Sequence, residues 1–167
     1  MTGQQPLFGG APPGEYVTVP ELPERALTLH QPWAWLVAHG LKPLENRPPG
    51  FSHQSFRGWF WIHASKVQSL DEWNAAAELA RQNGITDVPK LYDSALRFGA
   101  ILGRARIVGV LPVPTLRELP SGWRMTGQFG FVVLDATPLA VPVPCRGYQG
   151  FWKVPADVLA ELKKVNR

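Results

Sequence analysis

The sequence contains one cysteine, no long apolar run, and no basic residue among its first 24 positions. With Cys145 alone, neither an internal disulfide nor a cysteine-based zinc site can form. No stretch approaches the roughly 18 consecutive apolar residues that cross a bilayer. The first residues carry neither the basic nor the apolar region of a signal peptide. We therefore expect no membrane segment and a cytoplasmic location.

Residues 1–24 hold five prolines and four glycines, a density that does not support a regular element. We expect a Pro/Gly-rich N-terminal tail there, in which Tyr16–Val19 could still pair as a short edge strand. A single domain is expected over residues 25–167. Its composition agrees, because 45% hydrophobic and 18% charged residues are typical of a globular chain.

The basic residues all lie within the predicted domain. Residues 25–167 contain all 17 Lys and Arg but only 10 of the 13 acidic residues, so their net charge is +7 against +4 for the whole chain. Arginines outnumber lysines eleven to six, and the planar donor fork of arginine suits phosphates and stacks on bases. This pattern favours nucleic acid as a partner, although basicity that serves solubility alone is an equally good interpretation.

Short apolar runs separated by Gly and Pro predict a mainly β fold, a small barrel with flanking helices. Bulges or bends are expected at Gly103 and Gly109. The predicted strands cover residues 26–30, 44–47, 59–64, 99–113, 129–135, 139–143 and 151–154.

Three helices are expected. The first begins at Pro32 and ends at Gly40, and the last runs from Pro155 to Val165. The second opens on the capping box Ser69–Glu72 and ends near Gln82. Its predicted buried stripe consists of Leu70, Trp73, Ala77 and Ala80.

The segment Gly40–Arg47 carries three charges of mixed sign at the junction of a predicted helix and strand. Strand alternation sends Glu45 and Arg47 to the same face, and the preceding turn can bring Lys42 beside them. On spacing alone, an exposed salt-bridge cluster of little energetic value is the more frequent interpretation. A ligand-binding or catalytic site is the other.

Residues 25–155 resemble the ASCH domain, the activating signal cointegrator homology family. The family motif Gly-x-Lys-x-x-Glu-x-Arg is met by Gly40, Lys42, Glu45 and Arg47. The strand-to-helix entry before the motif and the apolar strand after it are similar to the cointegrator branch. They correspond to His30–Ala34 and to the stretch from Arg57 to Lys66.

The resemblance implies a PUA-like β-barrel whose motif lines a cleft for single-stranded RNA, single-stranded DNA or a nucleotide. In that picture Lys42 and Arg47 contact phosphate or a base edge. Glu45 orients them or accepts a hydrogen bond from an exocyclic amine. Further contacts are expected from Gln31, Arg57, Lys66 and Arg146.

An enzyme is the alternative that the resemblance leaves open. One branch of the family removes an acyl group from modified cytidine through a threonine, where this sequence has Glu45. A carboxylate cannot perform that acyl transfer in the same way. A ribonuclease is easier to reconcile with these residues, since Lys42 and Glu45 are candidate catalytic groups for acid–base chemistry and charge stabilisation.

The remaining polar residues suggest no cofactor. The four histidines show no metal-ligand spacing, so neither a metal nor another cofactor is expected. His30 and His63 are interpreted as satisfied structural histidines rather than catalytic groups. Arg104 and Arg106 share a strand face and either extend a basic patch or form an ordinary solvated surface. The sequence does not define an oligomeric state.

Overall fold

Strand residues outnumber helix residues in the part of the chain that the structure describes. The computed structural model describes residues 22–115, 117 and 122–165. The elements are β1 (Arg25–Leu29), α1 (Trp33–Ala38), β2 (Leu44–Arg47), β3 (Gly58–Ala64), α2 (Leu70–Gln82), β4 (Ala100–Leu111), β5 (Phe129–Pro144), β6 (Phe151–Lys153) and α3 (Ala156–Val165). The prediction of a mainly β fold with flanking helices is confirmed.

The six strands form one curled half-barrel sheet in the order β2-β5-β4-β3-β1-β6. β1 is parallel to β3, and the other neighbouring pairs are antiparallel. In the parallel pair Thr28 lies opposite His63, and Leu29 lies opposite Ala64. The carboxyl ends of β1 and β3 are therefore side by side, which places His30 and Lys66 at the same edge.

The two strands predicted at 129–135 and 139–143 are one continuous strand, β5. Proline cannot donate to a ladder, which is why the sequence predicted a break there. β2 pairs only with residues 129–132 of β5, so the later part of β5 pairs with β4 alone and tolerates prolines. The bulges predicted at Gly103 and Gly109 are confirmed by shifts in the β4–β5 register.

The main core lies between the inner face of the sheet and α1. Leu27, Phe60 and Phe131 are fully buried there, together with Val37 of the helix. A second cluster on the outer face joins Trp61 and Trp152 to α3 through Leu162. The sheet is thus covered on both faces, as the apolar sequence of β3 predicted.

The buried stripe predicted for α2 is partly wrong. Leu70 is 60% exposed, whereas Ala76 and Ala80 are buried. Ser69 caps the helix by accepting the backbone N–H of Glu72. The Glu72 carboxylate contacts α1 and the end of β1 instead of completing the capping box.

The packed domain already includes residues before Arg25. The indole N–H of Trp61 donates to Pro23 O at 2.6 Å, and Val154 N donates to Glu24 O at 2.9 Å. Leu22 packs against the cluster around Trp61. The edge strand suggested at Tyr16–Val19 lies outside the described residues. None of the helices in the described ranges has the length and apolar content needed to cross a membrane.

Candidate functional site

A cleft of about 1480 Å³ opens at the edge where β1 and β3 end. The motif strand β2 forms one wall, and the turn before β6 forms another. The lining residues fall within 28–33, 42–53, 63–75, 125–128 and 146–150. Segments far apart in sequence therefore meet around one opening.

The three charged motif residues form a buried ion network in the cleft wall. Lys42 Nζ lies 2.9 Å from Glu45 Oε2, and Arg47 Nη2 lies 3.2 Å from Glu45 Oε1. The side chains of Lys42 and Glu45 are only 3% and 8% exposed. The sequence correctly predicted that these side chains meet, but the exposed cluster that their spacing favoured is wrong.

Lys42 is saturated by the protein. Besides Glu45, its ammonium binds the backbone carbonyl of Leu44 and lies 5.2 Å from the ring centroid of Trp33. These contacts occupy a side chain that is almost fully buried. Lys42 therefore holds Glu45 in place and has little surface to offer a ligand.

Arg47 is the motif cation that remains available to a ligand. Its Nη2 donates to Thr28 O at 3.1 Å, and its guanidinium carbon lies 5.2 Å from the ring centroid of Phe51. The side chain is 20% exposed in the cleft. Its Nε is buried and has no hydrogen-bond partner among the described residues.

Two of the other predicted cations line the cleft. Arg146 and Lys66 are both exposed there. The stem of Lys66 passes over Gly99, where a Cβ would lie 2.7 Å from Lys66 Cγ. The absence of a side chain at Gly99 lets Lys66 follow this path.

Gln31 and Arg57, also predicted as contacts, do not line the cleft. Gln31 is 1% exposed; its side chain donates to Arg97 O at 2.6 Å and accepts Trp35 N at 3.0 Å. Arg57 donates to Gln54 O and Phe56 O in its own loop. Both side chains are bound to backbone groups and neither lines the cleft, so they are not part of the candidate site.

A buried hydrogen-bond chain forms the floor of the cleft. Trp152 Nε1 donates to Thr28 Oγ1 at 3.0 Å. His63 Nε2 lies 3.0 Å from Cys145 O, so it carries the proton, and Nδ1 accepts from the Thr28 hydroxyl at 3.2 Å. Burial lowers the pKa of His63, and the nearby charge of Lys66 lowers it further. The hydrogen bond to Cys145 O acts in the opposite direction and raises this pKa. His63 is thus a satisfied neutral histidine.

Asn46 fixes the wall formed by Met125 and Gln128, a role that sequence reasoning missed. Its side chain donates to Trp123 O at 2.8 Å and accepts Met125 N at 3.1 Å. Alternation along β2 sends Asn46 to the face opposite Glu45 and Arg47. The sequence offered one signal for this role, a polar residue between the motif positions Glu45 and Arg47.

Two carboxylates at the start of α2, those of Asp71 and Glu72, also line the cleft. Trp33 Nε1 donates to Glu72 Oε2 at 3.0 Å, and His30 Nδ1 lies 3.5 Å from Glu72 Oε1. The capping-box interpretation of Glu72 did not predict these contacts.

Neither a metal-binding cluster nor a cysteine thiolate is found in the part of the chain that the structure describes. Within 22–115, 117 and 122–165, no three His, Cys, Asp or Glu side chains are grouped to hold a metal ion. Burial raises the pKa of the Cys145 thiol to about 11, so it stays protonated near neutral pH. The expectation of no metal and no cofactor stays a prediction.

Comparison with known proteins defines the family. The family model of the ASCH domain matches residues 27–162, so the chain belongs to the ASCH domain family. Activating signal cointegrator 1 of Mus musculus and of Homo sapiens are each 28% identical over 144 residues. The match covers 83% of this chain but 23% of each relative, so the chain spans under a quarter of their length.

Solved ASCH structures from Zymomonas mobilis are similar at lower identity. A point mutant of that protein has a TM-score of 0.46 at 12% identity, covering 84% of this chain and 94% of the other. The ASCH protein itself has a TM-score of 0.43 at 11% identity, covering 84% and 93%.

Proposed function

We propose that the cleft binds single-stranded RNA, single-stranded DNA or a nucleotide, with Arg47, Lys66 and Arg146 directed to its phosphates. The observation that carries this proposal is the guanidinium of Arg47, which is partly open to the cleft and has a buried Nε without an acceptor. A buried donor left unpaired costs about 1–3 kcal/mol. An anionic ligand that supplies an acceptor for Nε recovers part of that cost.

The buried network prepares Arg47 for such a ligand. Glu45 holds Nη2 from one side and Thr28 O holds it from the other, so the guanidinium plane is fixed in advance. Lys42 compensates the carboxylate, which leaves the trio with a net positive charge. In this proposal Lys42 and Glu45 act through Arg47 and do not contact the ligand.

Family and charge support the same class of ligand. ASCH domains generally bind RNA, and this chain matches the family over residues 27–162. The region from residue 25 onward carries the net charge of +7 that a phosphate backbone attracts.

Binding is better supported than hydrolysis by Lys42 and Glu45. Both oxygens of Glu45 lie in ion pairs, and the ammonium of Lys42 is occupied by Leu44 O and Glu45. A general base must reach the proton that it removes. The side chains of Lys42 and Glu45 are only 3% and 8% exposed, so a substrate has little access to either.

A salt titration of oligonucleotide binding tests the proposal. Anisotropy of labelled single-stranded RNA and DNA is expected to show log K falling with log salt, by roughly 0.7 per phosphate neutralised. Arg47→Gln should lower affinity by about tenfold or more and reduce the slope by about one phosphate. Lys163→Gln on α3 removes the same charge outside the cleft and should leave both quantities near the wild-type values.

Two results contradict the proposal. Wild-type protein that shows no salt-sensitive binding to any single strand or nucleotide excludes it. Equal losses in Arg47→Gln and Lys163→Gln show a diffuse basic surface instead of a cleft.

A further inference from the structure

Tyr148 is an aromatic ring that the cleft leaves open. It lines the cleft and is 50% exposed. The guanidinium carbon of Arg146 lies 5.2 Å from its ring centroid, and the ring of Trp152 meets it edge-on with 5.5 Å between centroids. Neither the charged network nor the phosphate contacts proposed above use this ring.

The turn that carries Tyr148 is held at several points. Cys145 O accepts from His63, and Cys145 N donates to Gly99 O at 3.0 Å. Gly147 packs so closely on the floor that a Cβ there would lie 2.3 Å from His63 Cε1 and 2.7 Å from Thr28 Oγ1. Trp152, the ring beneath Tyr148, is itself anchored to Thr28. The exposed ring therefore stands on a rigid support.

We infer that Tyr148 is the platform on which an unpaired base stacks, with Arg146 placed for the adjoining phosphate. This inference rests on the proposed function. It adds that the cleft selects a ligand with an unpaired base. Aromatic side chains stack on any base, because every base has a π face, and a neighbouring arginine adds a cation–π contribution. Because the support already holds the ring in place, less conformational entropy is lost when a base binds.

The platform requires a base that is free of a partner strand. A paired base has its faces covered by its neighbours in the duplex, so it cannot lie flat on Tyr148 without leaving the stack. We expect the cleft to prefer an unpaired nucleotide to the same sequence in a duplex. We also expect the cleft to bind a strand more weakly when the nucleotide that lies on Tyr148 has no base.

Substitution of Tyr148 separates stacking from charge. Tyr148→Ala is expected to weaken binding of a single-stranded oligonucleotide by about 5- to 150-fold while the salt slope stays at the wild-type value. Tyr148→Phe keeps the ring and should bind within about threefold of wild type. Tyr92→Ala is the matched control, since Tyr92 is 86% exposed and does not line the cleft.

An abasic scan provides an independent arm. Wild-type protein should bind an oligonucleotide with one central abasic position less tightly than the intact strand, whereas Tyr148→Ala should bind the two alike. Thermal midpoints of all variants verify that they are folded. Tyr148→Leu is an additional control, because leucine keeps an apolar side chain of some size but has no aromatic face. Binding by Tyr148→Leu should fall like that of Tyr148→Ala.

The failure of this inference is distinguishable from failure of the proposed function. If Tyr148→Ala binds like wild type while Arg47→Gln binds weakly, the platform is wrong and the phosphate cleft stands. If Tyr148→Phe loses as much affinity as Tyr148→Ala, the hydroxyl makes the contact and stacking is wrong. If wild-type protein binds neither a single strand nor a nucleotide, both proposals fall together.

Discussion

Two clusters in this molecule each combine two cations, one carboxylate and a nearby aromatic ring, but they lie in different environments. The motif cluster consists of Lys42, Glu45 and Arg47 in the cleft wall. The outer cluster consists of Arg104, Arg106 and Asp135 on the outer face of the sheet. Both guanidinium groups of the outer cluster lie over the ring of Trp59, at 5.3 and 5.8 Å from its centroid.

Burial, not distance, separates the two clusters. The Arg106–Asp135 pair is the shorter at 2.7 Å, but its side chains are 45% and 48% exposed. Water competes for such a pair and long side chains lose entropy in forming it, so its net value is small. The Lys42–Glu45 pair at 2.9 Å is almost fully buried, so each charge depends on the other. The same residue types therefore produce a surface pair in one region and a fixed site in the other.

Removing the central carboxylate of the motif cluster should have the largest effect. Glu45→Gln leaves Lys42 and Arg47 in the wall without a compensating charge, which should lower the free energy of unfolding by about 3–5 kcal/mol. Urea unfolding at neutral pH measures the change. A loss below about 1 kcal/mol would mean that the motif cluster behaves like an exposed pair.

Gly147→Ala breaks the cleft floor without changing a charge. The new Cβ would lie 2.3 Å from His63 Cε1, so the turn or the histidine must move. Overpacking of this kind costs about 1–3 kcal/mol. Gly50→Ala is the control in the same cleft, because nothing lies within 4 Å of a Cβ there. Equal thermal midpoints for the two variants would contradict the close packing at Gly147.

Acidification should weaken the cleft floor through His63. Its folded-state pKa lies below 6.5 because burial disfavours the charged ring. The unfolded chain therefore takes up this proton first as pH falls below about 6.5, and stability decreases until the folded-state pKa is reached. One proton gives a slope of at most about 1.4 kcal/mol per pH unit.

Comparison with His63→Asn isolates this contribution from the other histidines. Urea unfolding between pH 7.5 and 5 should show the stability of wild type approaching that of His63→Asn as pH falls. Parallel curves for the two proteins would contradict the lowered pKa.

The outer cluster should give the smallest effect. Asp135→Asn removes the charge partner of Arg106 and keeps a residue type that tolerates the positive φ of 55° at this position. The expected loss is about 1 kcal/mol or less, and it should shrink further in high salt. Urea unfolding at two salt concentrations measures it. A loss as large as that of Glu45→Gln would remove the distinction between the clusters.

Local patterns in the sequence predicted most of the fold. The alternation in Gly58–Ala64 and the serine cap of α2 depend on near neighbours, and both are found in the structure. The continuous strand β5 was missed because its tolerance for proline depends on where β2 ends, which is a long-range property. The contact of Glu72 with Trp33 was likewise missed, because it joins two helices that are far apart in sequence.

Beyond the predicted cations Lys66 and Arg146, which line the cleft, the candidate site was predicted only where it lies within one segment. Lys42, Glu45 and Arg47 are close in sequence, and the strand period brings them together. Thr28, His63 and the turn with Tyr148 come from three distant segments, which meet only through the parallel β1–β3 pairing and β6. Gln31 and Arg57 lie near the motif in sequence, but both side chains bind backbone groups outside the cleft lining, Gln31 at Trp35 and Arg97 and Arg57 within its own loop.

Photochemical cross-linking tests the central claim of a nucleic-acid site in the cleft most directly. A single-stranded oligonucleotide with one thio-substituted pyrimidine can be irradiated with the protein and the modified peptides identified by mass spectrometry. We expect cross-links within the cleft, at Tyr148 and Phe51, and their loss in excess unlabelled strand. Cross-links concentrated at Trp59, with none in the cleft, would contradict it.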